Sequence, residues 1–131
     1  MAGSFTDYAE DLVLNFLLTT NIATRPTEWY VGLFTTATGE TGGGTEVSGG
    51  AYVREVASFS VSGTDPTKAE NTDAIEFPTA SATWGEVTHI GLFDAVSGGN
   101  MLVHAPLDVS KTIGEGDVFR IPAGDLEITL D

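Results

Sequence analysis

The sequence predicts an all-β fold, a single β-sandwich or jelly-roll-like domain of about seven strands with one N-terminal α-helix. Three observations lead there. Sixteen glycines fall among 131 residues, largely in clusters that punctuate short apolar runs. Those runs are rich in Val, Ile, Thr, Phe and Tyr and tend to alternate at period two. Only the first twenty residues carry apolar side chains at helical spacing. The length suits one domain able to bury about two thirds of its unfolded surface. Residues 1–24 form the expected helix and linker and residues 25–131 the expected β domain, together one structural unit.

The helix is expected over residues 4–19. Asp7 and Glu10 have the spacing of a capping box, and Asp7, Glu10 and Asp11 complement the positive end of a helix dipole. Tyr8, Leu12, Phe16 and Thr19 lie along one line, which Val13, Leu14, Leu17 and Leu18 widen beyond the stripe of an ordinary surface helix. Two readings stand: the helix packs on the sheet and also touches another subunit, or the monomer buries it whole. Thr24 to Thr27 is a loop, since Pro26 pushes Arg25 out of the α region.

The first strong strand is residues 29–36 (WYVGLFTT), with Gly32 inside it. Residues 37–50 hold six glycines and no apolar periodicity, and are expected as a long exposed loop. Residues 51–61 follow as a strand bulged near Glu55 and Val56, with Tyr52 and Arg54 on one face. Residues 62–71 read as a polar turn. Residues 74–78 form a short strand that Pro78 ends or places at an edge.

Residues 84–95 (WGEVTHIGLFDA) are the central strand. Val87, His89, Gly91 and Phe93 alternate with Thr88, Ile90, Leu92 and Asp94, so both faces are bulky and both need cover, from this chain or from a partner chain. Its Ile90-Gly91-Leu92-Phe93 echoes Val31-Gly32-Leu33-Phe34, which suggests two neighbouring strands brought close by their glycines. Ser97, Gly98, Gly99 and Asn100 make a hairpin turn, and residues 101–107 the returning arm. Residues 108–116 read as a polar link. Residues 118–121 lead into the clean alternation of residues 125–131, with Leu126, Ile128 and Leu130 inward.

Composition excludes several classes. Five basic against nineteen acidic residues give a net charge of −14, which argues against nucleic acid and anionic membranes as partners. The charge serves solubility or offers an acidic face to a basic partner or to cations. No cysteine means no disulfide, thiol nucleophile or thiolate metal site. No apolar run reaches the length of a membrane span, and the start lacks the basic region of a signal peptide.

Chemistry finds little support. His89 and His104 are the only imidazoles; a metal pair needs their proximity, helped by Asp94 or Asp108, plus a third ligand, and no HxH or HExxH spacing exists. No GxSxG elbow accompanies the serines, and no two carboxylates stand out as a glycosidase pair. Gly42 to Thr45 lacks the lysine and following helix of a phosphate loop. Residues 94–100 lack the alternating ligands of a calcium loop. The expectation is no enzyme activity, no cofactor and no metal.

Several segments together resemble a family of small tailed-bacteriophage virion proteins, often labelled tail fibre or minor tail protein, some of them on the head. They are residues 8–10 (YAE), 29–36, 43–50 (GGTEVSGG), 52–54 (YVR), 77–80 (FPTA), 84–95, 97–100 (SGGN), Lys111-Thr112 and 121–131 (IPAGDLEITLD). The likeness runs in order along nearly the whole chain; residues 55–71 depart from it. It implies a β-rich, non-enzymatic virion component made in the host cytoplasm. Compactness and the lack of heptads or fibre repeats favour a capsid decoration (cement) protein on the capsid exterior, with a small tail-fibre, tail-tip or baseplate component as the alternative. The implied partners are the major capsid protein or tail proteins, and further copies in a dimer or trimer. The candidate interface is Tyr8, Leu12 and Phe16 on the helix, Trp29 and Tyr30, Gly42, Gly43, Gly44 and Glu46 in the loop, and Trp84.

Overall fold

A computed structural model describes residues 1–130. The elements run β1 (Ala2–Phe5), α1 (Asp7–Leu18), β2 (Tyr30–Phe34), β3 (Glu55–Val56), β4 (Phe59–Ser62), β5 (Thr67–Asn71), β6 (Ile75–Glu76), β7 (Gly85–Phe93), β8 (Met101–Ile113), β9 (Arg120–Ile121) and β10 (Glu127–Leu130). The expected all-β class with one N-terminal helix holds, built from more and shorter strands. Eight of them form one curled sheet in the order β3-β2-β7-β8-β1-β10-β5-β4, and β6 pairs with β9 alongside it.

β7 and β8 are the spine. They pair antiparallel from Gly85↔Ile113 to Phe93↔Met101, with irregularities between Val87 and His89 and between Leu92 and Phe93. β2 lies on the other side of β7, and its register sets Gly32 opposite Gly91, so the two glycine-centred strands are neighbours as expected. Val31, Leu33, Val87, Ile90 and Ala105 are wholly buried in the main core with Trp84, Phe77, Phe119 and Leu126. Each large aliphatic or aromatic side chain there contributes roughly 1.5–3 kcal/mol by leaving water.

This chain itself covers the second face of β7 at its C-terminal end. Phe93, Phe34 and Met101 form a separate buried cluster. The Phe34 and Phe93 rings stack at 6.0 Å, and the Arg54 guanidinium lies 3.5 Å from the centre of the Phe93 ring. Gly91 makes room for this layer: a Cβ there would sit 2.8 Å from Met101 Cε and 2.9 Å from Phe93 Cε2.

The chain departs from expectation in four places. Residues 2–5 are a strand, and α1 starts at Asp7. The cap is Thr6, whose Oγ1 accepts the Ala9 N–H at 3.3 Å and donates to the Met101 carbonyl at 2.7 Å, so no Asp7–Glu10 capping box forms. β1 lies antiparallel to β8 and parallel to β10, joining the halves of the sheet. Gly3 allows the fit, since a Cβ would meet Val103 Cγ1 at 2.7 Å. Within residues 62–71, expected as a turn, Thr67–Asn71 is a strand between β10 and β4. Residues 108–113, expected as a link, continue β8 and pair with the start of β7. Their solvent-facing polar side chains hid the strand. Leu130 is exposed although Leu126 and Ile128 face the core, and Asp131 lies outside the described residues.

Candidate functional site

The C-terminal half of α1 is apolar on most sides, with Asn15 its one polar residue, while Asp7, Glu10 and Asp11 lie exposed in the first half. Ala9 is its one buried residue. Phe16, about two turns further along the same line, is 68% exposed, and Leu18 is 75% exposed. The C-terminal half of the helix therefore overhangs the body. Thr19, Asn15 and Asn21 close its end with mutual side-chain hydrogen bonds, and Ile22 beyond them is 96% exposed. Leu12, Val13, Phe16, Leu17, Ala23 and Arg25 enclose a shallow apolar hollow beneath the overhang. Contiguous exposed apolar surface of this kind is uncommon on monomeric soluble proteins.

A second feature lies where the N-terminus of α1, the glycine-rich loop and the 94–100 hairpin meet around a concavity of about 570 Å³. An ion-pair network holds its wall. Arg54 Nε and Nη2 donate to the two Glu46 oxygens at 2.8 and 2.9 Å, and Nη1 donates to the Ala95 and Gly98 carbonyls at 3.0 and 2.8 Å. Tyr52 Oη donates to Glu46 Oε2 at 2.6 Å and accepts the Leu33 N–H at 2.9 Å. Burial works to raise the Glu46 carboxyl, but hydrogen bonds from Arg54 and Tyr52 outweigh it and hold the group below its ordinary 4.5. Burial, then the bond to Glu46, pushes the Tyr52 phenol well above its usual range. The network ties two flexible segments to the sheet and leaves its charged groups engaged with one another.

The loop is thus less free than its glycines imply. Val47 is buried, with its N–H donating to Leu33 O at 2.9 Å, so residues 45–47 return beside β2. Gly39 and Gly42 exchange a pair of 2.9 Å bonds, and Gly42, Gly43 and Gly44 take φ of +84°, +76° and +81°, which their lack of a Cβ permits. Glu40 O accepts the Asp7 N–H at 2.8 Å, docking the loop on the helix start. Asp7, Glu10 and Glu40 converge there with carboxylate oxygens within 4.8 Å of one another. The positive helix end and His104, whose Nε2 lies 3.2 Å from Glu40 Oε1, temper their repulsion.

Of the sequence-derived interface residues, Tyr8, Gly42, Gly43, Gly44 and Glu46 line this concavity together. Leu12 and Phe16 lie on α1, away from it. Trp29 is half-buried at a different cleft, and Tyr30 donates its hydroxyl to Glu28 at 2.8 Å. Trp84 is a correction: it is 6% exposed in the core, its Nε1–H donates to Gly50 O at 2.8 Å, and Tyr52 packs edge-on to it. A buried indole cannot serve as a contact surface. Glu40 and Arg54 were missed as parts of the site; the period-two spacing of Tyr52 and Arg54 was the available signal for the latter.

The histidines are diagonal neighbours on β7 and β8 but face different partners, His89 Nδ1 lying 2.8 Å from Thr88 Oγ1 and His104 lying against Glu40. No helix among the described residues is long and apolar enough to cross a membrane. The arrangement combines an exposed apolar helix end with a polar corner. Among known protein families, residues 4–129 match the one described as Podophage GP4 fiber I protein gp80. No curated protein matches the chain.

Proposed function

The chain belongs to the Podophage GP4 fiber I protein gp80 family, a family of tailed-phage virion structural proteins, and from that membership we propose that it is a non-catalytic structural module of a phage fibre, held in the particle through α1. The overhanging helix carries the reading. The C-terminal half of α1 is apolar on most sides, a pattern that is stable when buried, yet in this chain only Ala9 of the helix is buried, with Leu12 and Val13 half-buried. A protein neighbour in the virion, a further copy or another tail protein, covers the rest. The net charge of −14 turns the body away from nucleic acid and anionic membranes, so attachment rests on apolar contact.

The capsid-decoration reading keeps the same anchor and seats it on the major capsid protein, where binding to the assembled shell alone stabilises that shell by linkage. Copy number separates the two. Quantitative mass spectrometry of purified virions, with antibody labelling under the electron microscope, should find a dozen or so copies at the tail. Hundreds of copies spread over the head would replace the fibre reading with decoration, and absence from the particle would refute both. A Phe16→Asp variant supplied during infection should fold normally and be lost from virions.

A further inference from the structure

The molecule carries, besides the α1 overhang, a receptor of matching character. The mouth of the curled sheet, between the β7–β8 spine and the outer strands β4, β5 and β10, is an apolar cleft of about 430 Å³. Phe59, Val61, Leu92, Leu102, Ile128 and Leu130 line it, with Trp29 and Arg25 at the rim. Val61 and Leu130 are more than half exposed there, so apolar surface stands open to water on both features.

Charge says what fits. Residues 12–24 contain no ionisable side chain, so the overhang is neutral on a strongly acidic chain. The last turn of α1 carries no basic residue, which leaves the negative end of the helix dipole unmatched. Arg25 is the only ionisable residue lining the cleft. It is also the one cation not engaged elsewhere among the described residues: Arg54, Lys68 and Arg120 face carboxylates, and Lys111 lies over the Phe119 ring. Two copies of a chain at −14 repel over most of their surfaces. They meet at least electrostatic cost where a neutral apolar helix enters a neutral apolar cleft and its C-terminal carbonyls reach a free arginine.

We infer that the occupant of the cleft is the C-terminal half of α1 from a second copy of this chain, with Phe16 and its neighbours inserted and Arg25 at the helix end. This rests on the fibre-module reading and names its neighbour. Helix and cleft are different patches of one molecule, so the contact either closes reciprocally in a two-fold dimer or runs head to tail into a larger ring or a filament, according to the rotation between copies.

Complementation tests it. Phe16→Asp spoils the helix and Val61→Asp spoils the cleft; both positions are exposed, so unchanged thermal melts should certify the fold. Sedimentation velocity of the purified wild type should show association that grows with concentration, and each variant alone should sediment as a monomer. An equimolar mixture of the two variants should recover one 1:1 dimer, of twice the monomer mass, that extends no further. A monomeric wild type at every concentration overturns the inference, as does a mixture that stays monomeric. Continued association of Val61→Asp overturns it too, because helix would then be packing on helix. If the wild type is monomeric yet enters virions in an α1-dependent way, the helix-in-cleft contact fails while the fibre reading stands.

Discussion

Replacing Gly91 with alanine should destabilise the fold by about 2 kcal/mol, a figure that follows from what the new methyl meets. An ideal Cβ would lie 2.8 Å from Met101 Cε, 2.9 Å from Phe93 Cε2 and 3.1 Å from Phe34 Cε1. The methionine tip can swing aside. The two rings cannot easily do so, because they stack on each other and Arg54 lies on Phe93. Overpacking of this kind costs about 1–3 kcal/mol, and the rigid rings favour the upper part of that range. Against it, alanine in a strand interior recovers roughly 0.5 kcal/mol of the entropy that glycine loses on folding. At this chain length about 3–4 °C accompanies each kcal/mol, so the melting temperature should fall by roughly 7 °C. Calorimetry or thermal circular dichroism reads it directly. Gly39→Ala is the control, since nothing lies within 4 Å of its Cβ position and its φ is not positive; it should be neutral or slightly stabilising. A Gly91→Ala melt within a degree of wild type would show that the second layer over β7 is loosely packed, contrary to the reasoning.

Two further substitutions probe the polar ties. Asn71 is 1% exposed; its Oδ1 accepts the Leu126 N–H at 2.9 Å and its Nδ2 donates to the Asp73 and Pro122 carbonyls at 2.8 and 3.0 Å. Asn71→Ala leaves the buried Leu126 N–H without its partner, while the Pro122 carbonyl keeps the Asp125 N–H at 3.1 Å and the Asp73 carbonyl belongs to an exposed residue, so urea denaturation should reveal a loss of about 1–3 kcal/mol; a loss below about 0.5 kcal/mol would mean that water replaces the amide. The depressed Glu46 carboxyl makes its pair with Arg54 acid-sensitive. The unfolded chain takes up this proton first as pH falls, so the Glu46 contribution is complete above the ordinary value of 4.5 and fades as pH drops through the lower folded value. Glu55, raised by burial, acts in the opposite sense in wild type and variant alike. The stability difference between wild type and Glu46→Gln should therefore shrink as pH falls from above 4.5 through the lower folded value, and a difference that stays constant would contradict the ion-pair geometry.

The sequence made some parts of this molecule legible because one physical signal dominated them. β7 and β2 carry unbroken β-branched and aromatic runs with a glycine at matching positions, and those glycines do face each other. α1 carries apolar residues at helical spacing, which marked the helix, although the monomer does not bury it whole. β1 carried no such signal: Ala2, Gly3 and Ser4 are small, and what makes them a strand is the slot between β8 and β10, set by residues a hundred positions away. β5 and the far half of β8 were hidden for a related reason. Thr67, Lys68 and Glu70, like Ser110 and Thr112, have polar side chains, and only backbone pairing with neighbours reveals the strand. Trp84 went astray: the indole looked like a contact residue because large aromatics suit interfaces, yet here Gly50 satisfies its N–H within the core. Glu46 does line the concavity, and its pairing with Arg54 was not legible from loop composition.

The pairing of β1 with β10 also governs how the chain comes to be folded. Ala2 sits beside Glu127 and Gly3 beside Ile128, so β1 must wait for a strand about 125 positions further along the chain. Until β10 arrives, the sheet between β8 and β5 stays unzipped, and both α1 and the interior edge of β8 face water. Contacts of such long sequence separation slow folding, because loop closure precedes any reward. That delay leaves the apolar half of α1 in water before the body is complete. The order of events then matters: closure of the two ends completes the body, and only a completed body presents its helix and its cleft together.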